Sequence, residues 1–207
     1  MFPPVKVYPI TDIRLTGLSH SEQVSLLIQG GATLIQLREK HLSPHEFFQQ
    51  AQAAIEVARP HGVRIIINDR VDIALALKAD GVHLGQDDMP PGAARAILGE
   101  EALIGFSTHS PLQAIAAHRL PIDYVALGPI FRTSSKNDPD PVVGLASLQQ
   151  VRKAIGDFPL VAIGGITSEN LASVLEAGAT CAAVIRAALA DSSRIASTTK
   201  RLISLTR

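Results

Sequence analysis

Asp69 and Asp88 are the two side chains in this sequence whose type and spacing point most directly to chemistry. Asp69 closes a β-branched run, Arg64-Ile65-Ile66-Ile67, at the polar pair Asn68-Asp69. Asp88 follows a second short run, Val82-His83-Leu84, at Gly85-Gln86-Asp87-Asp88. Between them Val71, Ile73, Ala74, Leu75 and Leu77 form a short stripe with helical spacing, and Asp80-Gly81 turns the chain. The pattern is strand, helix, strand, and the nineteen residues separating the acids span about one βαβ crossover. A right-handed crossover places the C-terminal ends of both parallel strands on one face of the sheet, so the carboxylates are expected to be neighbours. With no obvious cationic partner they would repel one another unless they hold a hard cation such as Mg²⁺. The same two residues also suit a structural task. Asp69 can cap the helix starting at Val71, and Asp88 the one after Pro90-Pro91. Both readings stand at this point.

Other chemistry-bearing groups recur at comparable places. In Gln36-Leu37-Arg38-Glu39-Lys40, alternate residues of an extended chain point the same way, so Gln36, Arg38 and Lys40 share a face. The plain alternative is a surface turn with a solvated Arg-Glu-Lys run. Gly164-Gly165, followed by Thr167-Ser168-Glu169-Asn170 opening a helix, has the composition of a phosphate cradle. It also suits a tight turn capped by Thr or Ser. His109, ahead of Ser110-Pro111, is either a general base or a loop residue that orients a helix start.

The elements that must position these groups follow one rhythm. Apolar runs at Val5–Ile10, Leu34–Leu37, Arg64–Ile67, Val82–Leu84, Leu103–Phe106, Tyr124–Leu127, Leu160–Ile163 and Ala182–Ile185 alternate with helical stretches. One helix carries its own start signal, with Ser43 as N-cap, Pro44 at the first helical position and Glu46 completing a capping box. Eight strands alternating with helices predict a single-domain α/β fold, a (β/α)₈ TIM barrel spanning residues 1–207. A doubly wound open sheet is the alternative. It would carry a Gly-rich loop after its first strand, where this chain has Thr11-Asp12-Ile13-Arg14. In a barrel the strand C-termini form the functional face. Those ends present Gln36, Arg38, Lys40, Asn68, Asp69, Asp88, Ser107, His109, Thr133, Ser135, Lys136, Gly164, Gly165 and Arg186. The long connection from Arg132 to Val143 reads as an active-site loop. Cations beside paired acids suit a phosphate-bearing substrate and a metal.

Composition narrows the partners. Lys+Arg and Asp+Glu are both 19, aromatic residues are 4% and Trp is absent. A neutral balance with sparse aromatic side chains argues against nucleic acid and anionic membranes. No stretch is long and apolar enough to span a membrane, and the start is not a signal peptide. One cysteine, Cys181, permits no internal disulfide, and it is expected to be a buried strand residue in a cytoplasmic protein. A homo-oligomer stays open.

Taken together, these residues resemble the thiamine phosphate synthase family. The resemblance runs over nearly the whole chain. It is carried by Tyr8-Pro9-Ile10-Thr11-Asp12, QLREK at 36–40, NDRVDIAL at 68–75 and ADGVHLGQDD at 79–88. Gly105-Phe106-Ser107-Thr108-His109, the segment from Gly128 to Lys136, and Ala162-Ile163-Gly164-Gly165-Ile166 complete it. It implies a transferase that joins a hydroxymethylpyrimidine diphosphate to a thiazole phosphate, giving thiamine phosphate and diphosphate. The family's roles would give Asp69 and Asp88 to Mg²⁺, and Arg38, Lys40, Asn68 and Lys136 to the diphosphate. Gln36 and Ser107 would face the pyrimidine. Thr133, Ser135 and backbone N–H groups at Gly165 and near Ile185-Arg186 would hold the thiazole phosphate. Leu37, Glu39 and Ser134 lie within these substrate-binding motifs, and Arg38, Ser107 and Lys136 would carry catalysis. Arg186 and Arg132 depart from the Ser and Pro that the family often has. A thiazole tautomerase on the same barrel, with His109 as acid/base, and a non-catalytic phosphate sensor are the alternatives.

Overall fold

The computed structural model describes residues 1–133 and 140–206. Eight strands pair in chain order, all parallel: β1 (Val7–Thr11), β2 (Leu34–Leu37), β3 (Arg64–Asn68), β4 (Gly81–Leu84), β5 (Leu103–Thr108), β6 (Tyr124–Leu127), β7 (Leu160–Ile163) and β8 (Cys181–Val184). β8 returns to β1 through Val7↔Ala182 and Pro9↔Val184, so the barrel closes and leaves no sheet edge. Helices connect the strands: α1 (Ile13–Thr16), α2 (His20–Gln29), α3 (Pro44–Ala58), α4 (Val71–Leu77), α5 (Pro91–Leu98), α6 (Pro111–Ala117), α7 (Gly144–Ile155) and α8 (Leu171–Glu176); α9 (Arg186–Leu189) and α10 (Ile195–Ser204) follow β8. The closed (β/α)₈ barrel is the architecture that the alternation predicts.

Parity along each strand divides the core in two. Outward residues such as Ile35, Leu37, Ile65, Ile67, Val82, Leu84 and Ile104 pack under the helices. Inward residues, among them Tyr8, Ile10, Leu34, Ile66, Leu103, Tyr124, Val161 and Cys181, fill the barrel itself. Phe2, ahead of β1, joins the interior set with its ring 4.9 Å from that of Tyr124. Each buried Leu or Ile contributes about 1.5–3 kcal/mol by leaving water. That apolar plug holds the strands in register, so their C-terminal ends form a fixed rim. Cys181 is buried in β8, as its composition suggests.

The start of α3 follows the sequence signal. Ser43 and Glu46 form the reciprocal capping box, with Pro44 at the first position. Three local expectations are corrected. β1 is shifted and includes Thr11, while β8 ends before Ile185, which leads into α9 instead. The helix expected from Thr167 begins only at Leu171. There the Thr167 N–H donates to Asn170 Oδ1 (2.8 Å), the Glu169 N–H to Thr167 Oγ1 (3.3 Å) and Asn170 Nδ2 to the Gly165 carbonyl (3.0 Å). These side chains close a turn and so compete with helical bonding. Finally, neither Asp69 nor Asp88 caps a helix. The residues at the cap positions of α4 and α5 are Arg70 and Pro90, and neither makes a side-chain cap bond.

Candidate active site at the C-terminal rim

A pocket of about 750 Å³ opens at the C-terminal ends of the strands. Gln36, Arg38 and Lys40 line it, as the two-residue period of β2 predicts. Leu37 and Glu39 do not. Leu37 is fully buried in the outer core. Glu39 Oε1 accepts from the backbone N–H groups of Lys40 (2.8 Å), His41 (2.6 Å) and Leu42 (3.2 Å), so the carboxylate closes its own loop. Asn68, Asp69, Asp88, Ser107, His109, Thr133, Gly165, Ile185 and Arg186 all line the pocket. Ser134, Ser135 and Lys136 lie outside the described residues.

Asp69 is held in an unusual backbone state. Its φ is 63°, in the left-handed region, which Asp tolerates better than most residues and which marks stored strain. Its N–H donates to the His83 carbonyl on the neighbouring strand (2.8 Å), and the Arg70 N–H reaches back to the Asn68 carbonyl (2.8 Å). The chain therefore bends sharply at the end of β3, and the carboxylate turns to the rim rather than along α4. The expected lack of a cationic partner is corrected here, because Lys40 Nζ forms an ion pair with Asp69 Oδ2. Burial raises the Asp69 carboxyl above its ordinary pKa; Lys40 opposes that rise and the neighbouring Asp88 adds to it. The two acids are thus electrostatic neighbours, as their crossover spacing implies. Asp88 Oδ2 accepts from the Gly85 N–H at 2.6 Å, which fixes the loop after β4.

Groups suited to anions surround this pair. Arg38 makes no ion pair with a described residue, and Asn68 Nδ2 is buried without a partner among them. An orphaned donor of this kind costs about 1–3 kcal/mol unless something binds it. Across the rim, Gly164 (φ 97°) and Gly165 (φ 65°) form the turn after β7. A Cβ on Gly165 would sit 2.4 Å from the Arg132 carbonyl oxygen, so glycine is required for both conformation and space. No described residue accepts from the Gly165 or Ile166 N–H. Arg186 opens α9 beside them and is exposed.

Below the rim runs a chain of hydrogen bonds that sequence reasoning missed. Gln36 Nε2 donates to the Tyr8 hydroxyl (3.1 Å), which meets the Tyr124 hydroxyl (3.2 Å). The Tyr124 hydroxyl reaches His83 Nδ1 (3.0 Å), and His83 Nε2 reaches Ser107 Oγ (2.8 Å). Tyr8, Tyr124 and His83 all line the pocket floor. Burial raises both phenols well above their ordinary pKa, so both stay protonated. The available signal was a polar-tipped residue at an inward position of an otherwise apolar strand. His109, by contrast, is tied to its surroundings: Nδ1 lies 3.0 Å from the Gly128 carbonyl and 3.3 Å from Asp140 Oδ2.

Comparison with known proteins covers the stretch of chain that builds this rim. The family described as thiamine monophosphate synthase matches residues 7–188. A thiamine-phosphate synthase of Clostridium novyi (strain NT) is 48% identical over 185 residues, covering 89% of this chain and 90% of its own. One from Chloroflexus aurantiacus is 42% identical over 205 residues, covering 98% and 94%. Among solved structures, the thiamine phosphate pyrophosphorylase from Pyrococcus furiosus superposes with a TM-score of 0.85 at 34% identity. That match covers 98% of this chain and 95% of the other.

Proposed function

The chain belongs to the thiamine monophosphate synthase family, and from that premise we propose how its rim pocket carries out the reaction. The substrates are a hydroxymethylpyrimidine diphosphate and a thiazole phosphate; the products are thiamine phosphate and diphosphate. The observation that carries this reading is the meeting of Lys40, Asp69, Arg38 and the unpartnered Asn68 amide at one end of a pocket. At the other end lie the turn amides of Gly165 and Ile166. Two separate anion-binding ends suit two phosphorylated substrates.

Asp69 and Asp88 fit Mg²⁺. Among the described residues there is no cluster of three acidic, His or Cys side chains, and none is needed. Mg²⁺ commonly takes one or two carboxylates and completes its shell with water and substrate phosphate. Burial and then the neighbouring Asp88 both disfavour the charged Asp69 carboxylate, and a hard cation between the two acids would offset that alongside Lys40. When bound, the metal supplies positive charge to the leaving diphosphate. Arg38, Lys40 and Asn68 supply the protein's share of that neutralisation, with Lys136 as a further contributor. The diphosphate then departs from the pyrimidine methylene, and the electron-rich aminopyrimidine supports the charge left on that carbon. Gln36 and Ser107 hold the pyrimidine ring. Gly165, Ile185, Arg186, Thr133 and Ser135 hold the thiazole phosphate, so that the ring nitrogen faces the carbon. No protein nucleophile or base is required; positioning and charge stabilisation are sufficient.

A thiazole tautomerase would need His109 as a mobile acid/base and would have no use for the acid pair and its surrounding donors. Here the His109 ring is engaged by Gly128 and Asp140. Mixing both substrates with and without Mg²⁺ while following diphosphate separates the readings. Release that requires both the metal and the thiazole phosphate supports the synthase. Tautomerised thiazole without diphosphate release supports the tautomerase, and binding without turnover supports a sensor.

A further inference from the structure

The floor chain has a direction, and the direction has a consequence. Gln36 donates its amide nitrogen to Tyr8, so its carbonyl oxygen is the atom left for the pocket. Tyr8, having accepted, has its own proton to give to Tyr124. When Tyr124 in turn donates to His83 Nδ1, 3.0 Å away, that nitrogen is the bare acceptor. A neutral imidazole then carries its proton on Nε2 and donates to Ser107 Oγ. The Ser107 proton is left to be donated into the pocket. Gln36 and Ser107 therefore face a ligand with opposite polarity, one accepting and one donating.

We propose that Tyr8, Tyr124 and His83 are positioning residues that set this polarity and so select an aminopyrimidine over its oxo counterpart. An aminopyrimidine presents an amino donor beside a bare ring nitrogen. The first matches the Gln36 oxygen and the second matches the Ser107 hydroxyl. The oxo analogue presents an acceptor oxygen beside a protonated ring nitrogen, and both contacts become mismatched. None of the three positioning residues need touch the reacting carbon. The direction is set at the Gln36 end, where the amide nitrogen faces Tyr8. Burial holds both phenols protonated, so each has one proton to pass on, and the His83 ring stacks on Tyr124 with centroids 5.5 Å apart and planes at 24°, which fixes its rotation. Sites built on buried hydrogen bonds discriminate far more sharply than apolar pockets, because the wrong ligand leaves polar groups unpaired.

The inference rests on the synthase reading for its ligand, and its test separates the two. ¹⁵N NMR of the intact chain reads the His83 tautomer without any substrate. A proton on Nε2 is expected; a proton on Nδ1 overturns the proposal whatever the enzyme does. The second measurement compares kcat/KM for the aminopyrimidine diphosphate with that for its oxo analogue. The wild type is expected to prefer the amino form by about 10²-fold or more. In Tyr124→Phe, His83 loses its donor and can change tautomer, so the preference should fall at least about 10-fold. Equal losses on both substrates, with the ratio preserved, would mean a structural role only and overturn the proposal. If the wild type turned over neither diphosphate, the synthase reading would fail, while the NMR result would still decide the polarity of the chain.

Discussion

The ring of Tyr124 occupies the space where a side chain on Gly105 would be. A Cβ there would sit 2.0 Å from Tyr124 Cζ and 2.3 Å from its hydroxyl oxygen. The two residues are partners across β5 and β6. Gly105→Ala should therefore expel the ring, break its bonds to Tyr8 and His83, and leave buried polar groups unpaired. Overpacking and an orphaned buried hydroxyl each cost about 1–3 kcal/mol. We expect a loss of about 3 kcal/mol or more in urea unfolding. Wild-type stability would mean that the ring has a second place to go.

His20 gives the fold a pH dependence of its own. The ring is buried, bonded through Nδ1 to Thr11 Oγ1 at 2.7 Å, and its Nε2 has no hydrogen-bond partner among the described residues. Burial lowers its pKa to about 4, with Glu39 and Asp12 opposing. The folded pKa thus lies below the unfolded value of about 6.5, and the unfolded chain binds more protons between them. The contribution is fully present above pH 6.5 and is lost as pH falls through about 4. It amounts to about 3 kcal/mol at most. Urea midpoints of wild type and His20→Gln, compared at pH 7 and pH 5, should converge at the lower pH. A constant difference would show that His20 does not titrate in this window.

Arg186 lines the pocket beside the Gly164-Gly165 turn and forms no ion pair with a described residue. The phosphate it would hold lies away from the reacting carbon, so binding there is similar in ground and transition states. Arg186→Ser should raise KM for the thiazole phosphate by about 10-fold and spare kcat. KM for the pyrimidine diphosphate should stay the same. A rise in that second constant instead would assign this end of the pocket to the other substrate.

The barrel was legible because periodicity is local. Strand and helix periods alternate eight times, and Ser43-Pro44-Glu46 announces a helix start within four residues. Gln36, Arg38 and Lys40 were legible for the same reason, since parity in a strand decides which side a residue faces. Asp69 and Asp88 could be paired because a crossover has a known length and hand. Other features depend on distance in sequence. Tyr8 and Tyr124 bond across 116 residues, and His83 and Tyr124 across 41. Only barrel closure brings them together, and each looks like an ordinary strand residue in its own segment. Lys40 was seen as a ligand for phosphate but not as the partner of Asp69, because that contact depends on the left-handed bend after Asn68. The late start of α8 depended on three side-chain bonds that no propensity encodes.

The most direct test of the account is Asp88→Asn, measured for both turnover and thermal stability. The substituted amide keeps an oxygen to accept from the Gly85 N–H, so the loop after β4 should keep its shape. It removes the negative charge that the proposed metal site would use. Asp88 caps no helix, so little stability is at stake. We predict that Mg²⁺-dependent diphosphate release falls by about 10²-fold or more, the scale of losing one aimed charge, with Tm within a few degrees of wild type. A variant that is less stable but fully active would contradict the assignment of this rim to metal-assisted chemistry.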